Sequence, residues 1–154
     1  MSPVDTLLKR AERKRESSRF RESRTLFKQA ARQNGPERAQ ALHGAADCAR
    51  LLGDFPGALA DYGLALKSAP PGDVSLRADL ACGQALAWRG AGEPQRALRG
   101  LKRAQTAYEG LRDAPGRAFC LWALGGAWRI AGDLPQALKC LKRAEGAYRR
   151  LGDA

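Results

Sequence analysis

Four times along this chain a small residue, a large residue and an alanine recur at fixed spacing, and that repetition restricts the chain to a stack of like units. Three segments align on sight: Gly53-Asp-Phe-Pro-Gly-Ala-Leu59, Gly92-Glu-Pro-Gln-Arg-Ala-Leu98 and Gly132-Asp-Leu-Pro-Gln-Ala-Leu138. Their alanines Ala58, Ala97 and Ala137 lie 39 and then 40 residues apart, and Ser23 takes the same role 35 residues before Ala58. Four positions after each comes Phe27, Tyr62, Leu101 or Leu141, and three further Ala30, Ala65, Ala104 or Ala144. Spacings of four and three put these side chains on one helix face. Twelve positions before each, the chain is small again, at Ala11, Ala46, Ala85 and Gly125, so two helices of a unit can approach closely along an alanine seam. Leu7, Leu42, Ala81 and Leu121 stand sixteen before, and Trp88 and Trp128 fill the later two copies nine before.

The breaks are equally regular. Gly53, Gly92 and Gly132 supply a left-handed residue to end one helix, and Pro56, Pro94 and Pro135 fall in the first turn of the next, where a missing N–H costs little. Asn34-Gly35-Pro36, Ala69-Pro70-Pro71-Gly72-Asp73 and Asp113-Ala114-Pro115-Gly116 separate the units. The spacing predicts eight helices, at about 3–17, 19–33, 36–52, 55–68, 73–91, 94–112, 115–131 and 134–151, with no strand. The units are about 3–33, 36–68, 73–112 and 115–151, one array over 1–154.

Composition narrows the chemistry. No apolar run approaches the roughly 18 residues of a membrane span, and Met1–Arg10 lacks the apolar block of a secretory signal, which makes the cytoplasm the expected location. Cys48, Cys82, Cys120 and Cys140 include no close pair, and the single histidine, His43, sits five residues before Cys48, on a different helix face. These cysteines read as reduced structural thiols, and neither metal nor cofactor is expected. With no Ser/His/Asp or Cys/His set, no paired carboxylates and no phosphate loop, no catalytic residue is assigned. The net charge is +11, and the first 32 residues set Lys9, Arg10, Arg13, Lys14, Arg15, Arg19, Arg21, Arg24, Lys28 and Arg32 against four carboxylates. A field of this sign favours acidic partners.

The repeat resembles the tetratricopeptide family, whose pattern runs Trp-x2-Leu-Gly-x2-Tyr, then Gly, then Ala-x3-Phe, then Ala and Pro. The last copy matches through Leu121, Leu124, Gly125, Trp128, Gly132, Ala137, Leu141 and Ala144, and the second through Leu42, Ala46, Gly53, Ala58, Tyr62, Ala65 and Pro70. The first copy is poorest, with Lys14 for the aromatic and Ser18 for the glycine. The period and the closing Tyr148-Arg-Arg-Leu-Gly-Asp153 are similar to the longer-helix branch seen in kinesin light chains and Leu-Gly-Asn-type adaptors. The resemblance implies an all-α, right-handed solenoid of four helix-turn-helix units whose first helices line a concave groove, and a non-enzymatic protein-binding scaffold.

It further implies that three columns face the groove: Leu8, His43, Cys82 and Trp122; Glu12, Asp47, Leu86 and Gly126; and Arg15, Arg50, Arg89 and Arg129. Recurrent arginine would suit an extended acidic peptide, because its planar fork matches carboxylates; inheritance of a solvated residue among copied repeats is the less favoured alternative. Exposed pairs contribute only about 0.2–1 kcal/mol each, so an apolar anchor is needed, and Trp122 with Phe119 and Leu86 is the expected one unless Trp122 packs between repeats. The family's chaperone-tail clamp of Asn and Lys is not carried over, since Asn34 falls in a loop and Lys9 is alone near that wall. Two further expectations concern partners. The Arg-rich N-terminal helices make nucleic-acid binding the alternative function, although no aromatic platform interleaves them. The final helix carries Leu138, Leu141, Tyr148 and Leu151 with no helix after it, so self-association, a longer array or tolerated exposure must account for that edge.

Overall fold

The computed structural model describes residues 1–152; the last two residues of the closing segment lie outside the described residues. Among the described residues there are eight α-helices and no strand: α1 Pro3–Glu16, α2 Phe20–Ala31, α3 Arg38–Leu51, α4 Phe55–Ser68, α5 Val74–Gly90, α6 Pro94–Gly110, α7 Ala114–Ala131 and α8 Leu134–Arg150. Helix ends fall within two residues of the expected limits, and five of the eight starts are fixed by side-chain caps. Ser2, Asp54, Asp73, Asp113 and Asp133 each accept the N–H three residues on, which satisfies an amide the helix leaves unpaired. The expected turn glycines do take left-handed backbone, with φ of 81°, 82° and 87° at Gly53, Gly92 and Gly132, and Ser18 adopts the same conformation at φ 58°.

Two compact units divide the chain, Met1–Pro70 and Pro71–Ala154, at the Pro-Pro-Gly break. In the first unit α1 to α4 pack successively, and α1 also touches α3. Its centre is the alanine seam closed by two rings: Phe27 and Tyr62 are buried with Ala11, Ala46, Ala58 and Ala65. Phe27 fits because position 44 has no side chain; a Cβ there would lie 2.5 Å from the ring. Ser23 replaces the signature alanine by spending its hydroxyl, which donates to the Ala11 carbonyl at 2.8 Å.

The second unit repeats the arrangement with α5 to α8, α5 also touching α7. Leu98, Leu101, Ala104 and Tyr108 of α6 pack with Cys120, Ala123, Leu124 and Ala127 of α7. The Tyr108 hydroxyl donates to Asp79 Oδ1 at 2.6 Å. Burial, and then the hydrogen bond to Asp79, push its pKa up, so it stays protonated. The four cysteines are buried thiols rather than disulfides. On α8 the repeat positions of Leu98 and Leu101 become Leu138 and Leu141, which are 55% and 36% exposed instead of 2% and 0%. Leu134 adds to the same exposed edge.

Candidate partner-binding site

In the first unit the expected groove residues close on one carboxylate. Asp47, on α3, takes the Tyr62 hydroxyl from α4 in a short hydrogen bond. His43 Nε2 lies 3.3 Å from it, one Arg15 nitrogen 3.6 Å and one Arg50 nitrogen 3.7 Å. Arg50 Nε also donates to the Tyr62 oxygen at 3.2 Å, while Arg15 holds Glu12 at 2.7 Å. Spacing explains the convergence: positions 43, 47 and 50 share a face of α3, and the second helix of the hairpin presents Tyr62 to it. Burial, and then Asp47, raise the Tyr62 pKa, so its hydroxyl is a fixed donor. This knot consumes its own charge and offers no nucleophile.

The second unit presents a different surface. Trp122 and Phe119, one helical turn apart on α7, are 43% and 39% exposed, with ring centroids 5.5 Å apart. Arg89 reaches across from α5, its guanidinium carbon 5.3 Å from the Trp122 ring centroid. It has room because position 126 is glycine; a Cβ there would fall 2.4 Å from an Arg89 nitrogen. Arg129 is exposed seven residues beyond Trp122, again on that face. Cation and aromatic faces together suit a ligand with both carboxylate and apolar groups.

Leu86 needs correction. Expected on the binding wall, it is 5% exposed and belongs to the α5–α7 core. An apolar side chain at that position gains more from the alanine seam than from water. The arginine column also has a local cause that the groove argument missed. Arg15, Arg50, Arg89 and Arg129 each stand in the last turn of a first helix. Their carbonyls accept the N–H of Ser18, Gly53, Gly92 and Gly132 at 2.9–3.2 Å. A cation there complements the negative end of the helix dipole, worth about 0.3–1 kcal/mol. Helix-end charge is thus a second account of the column beside partner binding, and Arg89 and Arg129 are the members that stand on the aromatic surface.

Among the described residues no group of three or more His, Cys, Asp or Glu could hold a metal ion, and no helix is long and apolar enough to cross a membrane. Of the ten cations in the first 32 residues, Lys14, Arg15, Arg19, Arg24 and Lys28 are already in ion pairs.

Comparison with known proteins gives the fold its relatives. Residues 8–74 match the family model described as tetratricopeptide repeat. No curated protein sequence matches the chain. Among solved structures, MamA superposes with a TM-score of 0.75 at 17% identity, over 99% of this chain and 82% of that one. The TPR-like repeats of a Podosopora anserina kinesin light chain structure give 0.76 at 17% identity, over 99% and 79%. Aspartyl phosphate phosphatase F from Bacillus subtilis gives 0.84 at 14% identity, over 98% of this chain but 41% of its own length. At these identities the likeness is one of fold: all-α, helical-hairpin repeats of the solenoid class.

Proposed function

We propose that this chain, whose residues 8–74 match the tetratricopeptide-repeat model, is a non-enzymatic interaction scaffold that captures an acidic peptide on the Arg89–Trp122–Phe119 surface. The fold class supports protein binding as the general role. The finer reading rests on one observation: two large aromatic side chains remain some two-fifths exposed beside an arginine held over one of them. Exposed ion pairs alone, at about 0.2–1 kcal/mol each, would leave the complex near millimolar. Burying Trp122 and Phe119 supplies what charge cannot, since a desolvated aromatic anchor contributes about 2 kcal/mol or more. Arg89 and Arg129 then select a sequence with carboxylates beside an apolar residue.

The test is capture of an acidic peptide library by the wild-type chain and by Trp122→Ala/Arg89→Glu, with helicity followed by circular dichroism. Loss of capture with helicity intact supports the site; unchanged capture removes it. Gel shift with single- and double-stranded probes across salt addresses the nucleic-acid alternative, for which a steep salt slope is the signature. The leucines of α8 support self-association as a second property of the scaffold.

A further inference from the structure

A cavity of about 620 Å³ opens between α6, α7 and α8, entirely within the second unit. Arg117, Lys142, Arg143 and Arg150 line it against one carboxylate among the described residues, Glu109. Among the described residues none of these four cations is in an ion pair, although lysines and arginines form nine such pairs elsewhere.

The corresponding cleft of the first unit shows what is unusual here. Arg38 and Leu42 occupy the repeat positions of Arg117 and Leu121, and both clefts are lined by them. There two of the lining cations are held internally: Lys28 pairs with the buried Asp61 at 3.2 Å, and Arg38 donates to the Ala31 carbonyl at 3.0 Å. In the second unit the position of Asp61 is Cys140, and those of Gly63 and Leu64 are Lys142 and Arg143. The second cleft thus lacks the buried carboxylate that holds Lys28, and two further cations, Lys142 and Arg143, stand where the first unit has glycine and leucine.

We propose that this cavity binds a compact polyphosphate, a diphosphate group or longer, through Arg117, Lys142, Arg143 and Arg150. Three net positive charges in one cleft call for several negative charges in a small volume. An extended acidic peptide brings at most one charge per about 3.3–3.6 Å of chain, whereas a polyphosphate concentrates them. Arginine forks bind phosphate oxygens in pairs, and lysine adds a point charge. The volume lies in the range of about 300–1,000 Å³ that small ligands occupy. No aromatic side chain lines the cavity, so the phosphates rather than a stacked base carry recognition.

Calorimetric titration of the full chain with sodium tripolyphosphate at about physiological ionic strength tests this, because salt at that level suppresses diffuse attraction. One saturable site is expected. Arg117→Gln/Arg143→Gln should weaken it about tenfold or more, the loss of two charge-assisted hydrogen bonds. Arg10→Gln/Arg21→Gln removes equal charge from the first unit and should leave it unchanged. Equal weakening by both pairs, or no saturable binding by the wild-type chain, overturns the proposal. So does citrate binding as tightly as tripolyphosphate, which would make the site a general anion pocket. Trp122→Ala/Arg89→Glu should not alter tripolyphosphate binding, so this site and the peptide surface stand or fall separately.

Discussion

Single positions in this chain are governed by the presence or absence of one carbon atom. Ser18 occupies left-handed backbone where the other hairpins use glycine, and a Cβ there costs about 1–2 kcal/mol. Ser18→Gly is therefore expected to raise stability by about 1 kcal/mol once the extra flexibility of the unfolded chain is subtracted, read as a higher midpoint in urea. Gly44 is the reverse case. Its added methyl would meet the Phe27 ring at 2.5 Å, so Gly44→Ala should destabilise by about 1–3 kcal/mol. Gly63 is also mid-helix but has nothing within 4 Å of the added carbon, and Gly63→Ala should stabilise by about 0.5–1 kcal/mol. Similar melts for the two variants would show that the Phe27 contact does not control the seam. The small residues were legible in the sequence because they recur at helical spacing. The burial of Leu86 was not, since three columns on one helix face do not say how deeply that face turns into its neighbour. Its apolar character, against the charge at Asp47 and Glu12, was the available signal.

Whole helices were the most legible part, because an alanine-lined seam and a turn glycine reappear in register and no alternating pattern competes. Their limits came from residues the spacing does not weigh: the aspartates just before α4, α5, α7 and α8, which accept the amide three positions on. The arginine column at the ends of α1, α3, α5 and α7 belongs to the same scale. Repetition alone does not separate a binding residue from a helix-ending one, because both readings place arginine at the same position of every copy. The cap of α4 has a pH signature. The Gly57 N–H, and then Arg24 at 2.8 Å, hold the Asp54 carboxyl below the usual aspartate range. A depressed folded-state pKa adds stability above the unfolded value, near about 3.9, and loses it as pH falls through the lower folded value. Thermal melts should thus fall with acid more steeply for the wild-type chain than for Asp54→Asn, which keeps a capping oxygen without the charge. Parallel pH profiles would exclude Asp54 as a source of that slope.

At the scale of the molecule, a net charge of +11 coexists with apolar surface on α8, and the two oppose each other in any encounter between copies. The sequence placed Leu138 and Leu141 at repeat positions that α7 covers one hairpin earlier, so their exposure follows directly from the absence of a described helix beyond α8. Lys139, Lys142 and Arg143 stand beside them and are exposed. When two such faces meet, burial of leucine side chains favours contact by about 25 cal/mol per Å², while the flanking cations repel through solvent. That repulsion shortens its reach from roughly 10 Å at 0.1 M salt to roughly 3 Å at 1 M, whereas apolar burial is little weakened. Self-association should therefore increase with salt, opposite to the salt response of acidic-peptide capture. Light scattering at fixed protein concentration should show the apparent mass rising between low and high salt. Leu138→Lys, which puts a charge at the centre of the face, should hold it at the monomer value. A wild-type mass that stays monomeric across the whole range would mean that α8 tolerates its leucines in water and pairs with no second copy.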